Sequence, residues 1–374
     1  MSGLCVSIEH NYGGLNMKLT EKMKNSTYPD VISKLRRPVA PPKNVVNNGI
    51  VQFGTFDAPL EKINIIDCKQ PVRRWLPKFM NSSRIKEWEA FEISFDEGFL
   101  VGAIYDVGAF VFNITMFFDK KTKEVSLNQV MGAPKKVVKD SLINQRNNLK
   151  TGNLVIDINN QFQDGKCYVK ANSPKTKKNM AMNVDVELTS ISTPSVVVMP
   201  LGENRPLYSQ KELFKVNGSI QMGDRTFTMN ENSLAIIDDH KGFYPYKMHY
   251  DWLTGMGTFE KEGVMAFNLT RNQVTNPQDY NENYLWLNGD MHPLPPVNFT
   301  HLDNGHWKVK DEHDMVNIEF HIDNTLKLDK NVALIKVRYR APFGFITGYI
   351  KDIDGNKHMM NGAFGMGEDK TYQI

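Results

Sequence analysis

Glu89-Ala90-Phe91-Glu92-Ile93-Ser94-Phe95-Asp96-Glu97-Gly98-Phe99-Leu100-Val101-Gly102-Ala103-Ile104-Tyr105 is the stretch whose reading decides the fold. Phe91, Ile93 and Phe95 alternate with Ala90, Glu92 and Ser94, the period of two that sends successive side chains to opposite faces of a strand. Asp96-Glu97-Gly98 turns the chain, and residues 99–105 return as the second arm of a hairpin. The same rhythm runs outward from there. Residues 111–118 are a further apolar strand closed by the polar turn 119–122, and 154–158, 167–171 and 184–188 continue the pattern. A second series follows at 217–222, 225–229, 235–237, 247–252, 264–270, 284–287, 316–321, 333–338 and 345–350, with turn signals such as Asn288-Gly289-Asp290 between them. Residues 209–214 are the one short helix expected in the middle. Many strands without βα alternation predict an all-β sandwich or barrel, and two similar series predict a tandem pair of antiparallel barrels.

The boundary between the two halves is expected near residue 205, where Pro194, Pro200 and Pro206 cluster. Residues 1–46 read as an N-terminal appendage, with short helical turns over 15–37 interrupted by Pro29 and a stiff Pro38-Val39-Ala40-Pro41-Pro42 linker. The expected division is therefore 1–46, 47–205 and 206–374.

Composition bounds the function from outside. The 374 residues carry 45 Lys+Arg against 42 Asp+Glu, and a net charge of +3 is too small to imply a nucleic-acid partner. No run reaches the ~18 apolar residues of a membrane helix, and the charged, Gly-bearing start argues against an export signal, so a cytoplasmic protein is expected. Cys5, Cys68 and Cys167 lack any CxxC spacing, which argues against both a disulfide framework and a zinc site. His292, His301, His306, His313 and His321 fit no metal-ligand spacing and are expected on surface strands and loops; neither a metal nor a cofactor is expected. No GxSxG elbow is present, and Asp352-Ile353-Asp354-Gly355 lacks the twelfth-position Glu of a calcium loop.

One segment is denser in chemistry than the rest. Ile236-Ile237 runs into Asp238-Asp239-His240-Lys241, crosses Gly242-Phe243-Tyr244-Pro245, and leaves on a strand. Alternation there puts Tyr246, Met248, Tyr250 and Trp252 on one face and Lys247, His249 and Asp251 on the other. With the first face inward, an aromatic cavity sits beside two carboxylates and an imidazole. Adjacent carboxylates in a poorly solvated pocket resist double ionisation, so one holds a proton, and His240 is its natural exchange partner. Asp238, Asp239 and His240 are thus the candidate catalytic residues. Lys241, Tyr244, Tyr246, His249, Tyr250, Trp252, Glu282, Asn283 and Trp88 are the candidate ligand-binding residues. The competing reading is an Asp-rich turn at a strand end, with Tyr and Trp as ordinary core and Glu282-Asn283 as turn caps.

Residues 233–242, with Tyr246, Trp252 and Gly255 beyond them, resemble the signature of the bacterial family catalogued as domain of unknown function 2804. Arg84-Ile85-Lys86-Glu87-Trp88 resembles its RxKEW element, and Gly263, 267–269 and Glu282-Asn283 resemble its later motifs. The resemblance covers roughly residues 47–366. This family is similar, more distantly, to the lipocalin-like (calycin) superfamily of carotenoid 1,2-hydratases and AttH-type proteins. What the resemblance implies is two tandem lipocalin-like β-barrels with a few short helices, handling hydrophobic and often isoprenoid ligands.

Three functions remain open on this reading. The first is a hydro-lyase or cyclase for an isoprenoid- or lipid-like small molecule, using acid catalysis with aromatic shelter for a carbocation. The second is a non-catalytic carrier of a hydrophobic ligand. The third is a carbohydrate-active hydrolase with paired carboxylates, which requires Glu282 or Asp251 as the partner of an Asp because Asp238 and Asp239 point to opposite faces of an extended chain.

Overall fold

The computed structural model describes residues 23–373 apart from 24, 70, 73–76, 83, 304, 333 and 334. Cys5 and the first part of the expected helical segment, 15–22, lie outside the described residues. β1 (Val46–Asn47) and β2 (Ile50–Val51) form a minimal hairpin through Asn48-Gly49, whose φ angles of 52° and 84° suit that Asn-Gly pair.

Among the described residues, thirteen strands form the first sheet. They are β3 (Gly54–Phe56), β4 (Ile85–Phe95), β5 (Gly98–Asp106), β6 (Val111–Asp119), β7 (Val125–Gly132), β8 (Arg146–Thr151), β9 (Leu154–Gln161), β10 (Lys166–Ser173), β11 (Met182–Ser190), β12 (Ser195–Pro200), β13 (Pro206–Met222), β14 (Arg225–Thr228) and β15 (Leu234–Phe243). Ten form the second: β16 (Lys247–Phe259), β17 (Gly263–Arg271), β18 (Tyr284–Leu287), β19 (Asp290–Pro293), β20 (Asn298–Leu302), β21 (His306–Lys310), β22 (Val316–Val332), β23 (Ile335–Lys351), β24 (Lys357–Met359) and β25 (Phe364–Gln373). The first sheet runs β7-β6-β5-β4-β15-β13-β11-β10-β9-β8 and curls into a nearly closed barrel; the second runs β19-β18-β17-β16-β25-β23-β22-β21-β20 as a half-barrel. The fold is all-β with two lipocalin-like barrel domains.

Asn113 spans the gap between the first sheet's two ends. Its amide, on β6, donates to the carbonyls of Leu149 (2.8 Å) and Leu154 (3.1 Å) on the far edge. In the second sheet, Gly255 and Gly365 stand directly opposite each other, and a Cβ at Gly365 would lie 1.9 Å from the Thr254 carbonyl oxygen, so only glycine permits this approach.

The chain passes from the first sheet to the second at Tyr244-Pro245-Tyr246, between β15 and β16. Residue 205, the expected boundary, lies in the tight turn joining β12 to β13 inside the first sheet. Residues 209–214 are not a helix but the middle of the seventeen-residue β13. The described part of the N-terminal segment is packed in: Met23, Tyr28 and Ile32 join the core of the second barrel. Arg36 is buried, donating to Tyr284 Oη (2.7 Å), Asn283 O (2.9 Å) and Thr55 Oγ1 (3.1 Å). Among the described residues no helix is long and apolar enough to cross a membrane.

β4 and β15 each separate two environments. Phe91, Ile93, Ala235 and Ile237 face the interior of the first barrel, while Leu234 and Ile236 face the apolar layer between the sheets, with Trp252, Met256, Phe343 and Met366 from the second. The site lies along that second face.

Candidate active site

Three neighbouring strands project polar groups into the space between the barrels. Register sets them in rows across the ladder: Ser209 on β13 faces His240 on β15, which faces Trp88 on β4; Lys211 faces Asp238, which faces Ala90; Leu213 faces Ile236, which faces Glu92. Glu282 enters from the segment before β18, and Tyr244 from the crossover between sheets. Lys211 Nζ lies 2.8 Å from Glu282 Oε2, 3.2 Å from Asp238 Oδ1 and 2.7 Å from His240 Nε2. Ser209 Oγ accepts from Lys211 (2.9 Å), donates to Glu282 Oε2 (2.8 Å), and sits 2.9 Å from His240 Nε2. The other imidazole nitrogen, Nδ1, is 3.2 Å from Tyr244 Oη, and Trp88 stacks on the ring with 4.5 Å between centroids.

Burial and neighbouring charge divide these acids. Burial alone would raise Glu282, but the Lys211 and His240 charges outweigh it and hold the carboxyl well below its usual range. Burial likewise opposes charge on Lys211, yet Asp238 and Glu282 raise it and keep the ammonium protonated. Glu92 goes the other way. Burial pushes it well above the carboxylate range and the Asp238 charge adds to this, against a weaker pull from Lys211; its Oε2 has no hydrogen-bond partner. A carboxyl that burial shifts towards its protonated form thus stands beside a Lys–Glu pair shifted towards its charged form, the separation by which a protein assigns acid and base roles.

The cavity these groups face measures about 310 Å³, the lower end of the range for small-molecule sites. Its walls are mostly apolar and aromatic. The first barrel supplies Trp88, Tyr105, Phe112, Ile114 and Met116; the second supplies Met248, Tyr250, Trp252, Val337 and Tyr339. Opposite the acid cluster, Tyr250 donates to Glu368 Oε2 (2.6 Å) and Tyr339 to Oε1, while Lys370 lies over the rings of Tyr105, Tyr250, Tyr339 and Tyr372.

Of the residues expected at a site, Trp88, Asp238, His240, Tyr244, Tyr250, Trp252 and Glu282 line this cavity. Asp239 does not. It faces into the first barrel across the ladder from Glu89, where burial pushes it well above its ordinary range and the Glu89 charge adds to this. Lys241 shares that face and pairs with Glu87 (2.7 Å) and Asp140. Tyr246 is exposed, and His249 lies on the opposite face of β16. Asn283 caps chain turns, accepting from Thr270 N (2.7 Å) and donating to Pro295 O (3.0 Å). His292, expected at the surface, is buried, because β19 packs it against the turn at Ile353.

Ser209, Lys211 and Glu92 are members of this cluster that sequence reasoning missed. For Glu92 a signal existed: it shares one face of the strand with Trp88 and Ala90, opposite Phe91 and Ile93. Ser209 and Lys211 left none, since Ser-Gln-Lys-Glu has no strand period to read.

A two-barrel lipocalin-like protein with a buried acid–base cluster between its barrels is the class that fold and site define. The chain belongs to the family described as Domain of unknown function (DUF2804), whose sequence pattern matches residues 38–373. No curated protein matches it in sequence. Among solved structures it is similar to CghA, at 8% identity and TM-score 0.52, over 77% of this chain and 88% of that one. It is also similar to CghA with Sch210972 (8% identity, TM-score 0.50, 78% and 88% covered) and to kievitone hydratase from Nectria haematococca (12% identity, TM-score 0.48, 77% and 88% covered). At these identities the likeness concerns architecture.

Proposed function

We propose that the protein is an acid–base enzyme that adds water to, or closes a ring at, a carbon–carbon double bond of a hydrophobic, isoprenoid- or lipid-like small molecule held between its two barrel domains. The observation that carries this reading is the buried Glu92, whose carboxyl burial pushes well above its ordinary range, facing the same cavity as Asp238 and Glu282, the two carboxylates that Lys211 bridges. Glu92 gives its carboxyl proton to one alkene carbon. The π electrons form the new C–H bond, and the adjacent carbon becomes cationic. Trp88, Tyr250 and Trp252 offer ring faces to that cation. In hydration, a water oxygen bonds to the cationic carbon and its surplus proton passes to the His240–Asp238 side, from which Glu92 is reprotonated. In cyclisation, a neighbouring double bond attacks and a carbon-bound proton leaves to the same base.

Aromatic, apolar walls favour such a ligand over a sugar, and one structure of this architecture, that of CghA, was determined with Sch210972 bound. The test is incubation of the intact protein with a panel of unsaturated isoprenoid and fatty-acyl compounds in ¹⁸O-labelled water, read by mass spectrometry. Enzyme-dependent label in a product alcohol, or a cyclised isomer, supports the proposal. Compounds that bind stoichiometrically and are recovered unchanged would make the protein a carrier instead.

A further inference from the structure

The second barrel contains a cluster that the reaction above does not use. On the face of β16 turned away from the cavity, His249 and Asp251 stand two residues apart. Asp369 on β25 is directly opposite Asp251 in register. Two carboxylates facing each other across a ladder repel, and both are deeply buried, with side chains 0% and 7% exposed. Arg271 lies 2.6 Å from Asp251 Oδ2 and Arg338 2.6 Å from Asp369 Oδ2, but both guanidinium side chains are about half exposed, where solvent screens them. On Asp369 the inner oxygen, Oδ1, is buried without a hydrogen-bond partner and points at His249, whose Nδ1 is 3.9 Å away. His249 Nε2 is 3.5 Å from Asp251 Oδ2. His301, held flat against Trp307 at 4.3 Å between centroids, sets its Nε2 3.1 Å from Asp251 Oδ1.

We propose that His249, Asp251 and Asp369 bind a divalent first-row transition-metal ion, with His301 fixing the orientation of Asp251. One donor atom from each of the three residues falls within 4.8 Å of the others, so a small inward rotation of the side chains brings all three to the ~2.0–2.2 Å of a shared ion. The mixed imidazole and carboxylate set suits Zn²⁺, Mn²⁺ or Fe²⁺ better than Ca²⁺ or Mg²⁺. An ion between the facing carboxylates removes their repulsion and satisfies the stranded Asp369 oxygen. A separate cavity of about 190 Å³, lined by His301, Trp307, Arg338 and Asp369, adjoins the Asp369 side of the cluster.

The test uses the full chain stripped with chelator and titrated with Co²⁺, whose visible bands report nitrogen and oxygen ligation, and with Mn²⁺ followed by electron paramagnetic resonance. One equivalent bound is expected. Asp369→Asn and the half-exposed His249→Gln each weaken it at least tenfold. Arg338→Gln, which frees Asp369 Oδ2, tightens it. His301→Gln weakens it by about 10- to 100-fold. No stoichiometric binding by the wild type, or affinity unchanged in a folded His249→Gln protein, overturns the proposal.

Discussion

Lys211 stands directly across the ladder from Asp238, with Nζ 3.2 Å from Oδ1, and reaches Glu282 at 2.8 Å with the same ammonium. One strand of the first barrel thereby holds a residue brought by the second. The pairing is desolvated, so its worth lies in what its removal leaves behind: two buried carboxylates without their cation.

Replacing Lys211 with Met is therefore expected to cost about 3–5 kcal/mol in urea unfolding, and adding Glu282→Gln is expected to recover part of that loss. A double-mutant cycle measures the coupling.

Glu282 also sets an acid limit. Its folded pKa lies below its unfolded value of ~4.3, so its contribution to stability is full above that pH and fades as pH falls towards the folded value. The stability difference between wild type and Glu282→Gln should be constant from neutral pH down to about pH 5 and shrink below about pH 4.

The first-barrel carboxyls have the opposite sign. Burial pushes Glu89 up to about 7, only partly offset by the amides of Asn147 and Asn160. A raised carboxyl favours the fold at low pH, and that advantage is lost as pH rises from ~4.3 through about 7. Glu89→Gln should flatten this slope in pH-dependent denaturation.

Consecutive residues Asp238 and Asp239 give the sharpest contrast at the site, because they face different compartments. Asp238→Asn should lower turnover by about 10²-fold or more, whereas Asp239→Asn should leave it within about threefold, measured on the same substrate. Equal losses would move the reacting groups to the other face of β15.

How far these features could be read in advance depended on burial. The β4–β5 hairpin announces itself because each of its strands pairs an apolar face with a distinguishable second one. β18 was expected at its observed bounds of Tyr284–Leu287 because Asn-Gly-Asp closes it cleanly. β13 is buried on both sides along residues 206–214, its polar Ser209, Gln210, Lys211 and Glu212 included, so no period of two survives. Pro200 and Pro206 read as marks of a domain boundary and face each other at the closed end of the β12–β13 hairpin, where proline is tolerated. Glu282 was visible beside an apolar strand. The lysine that fixes its charge was not.

The measurement that bears most directly on the acid–base reading is the turnover of Glu92→Gln, with ligand affinity measured alongside. Glutamine keeps the shape of the side chain but carries no acidic proton. Turnover is predicted to fall by at least about 10²-fold with dissociation constant unchanged. Wild-type turnover should decline as rising pH ionises Glu92. Turnover within about threefold of wild type in a folded Glu92→Gln protein would contradict the assignment of Glu92 as the proton donor.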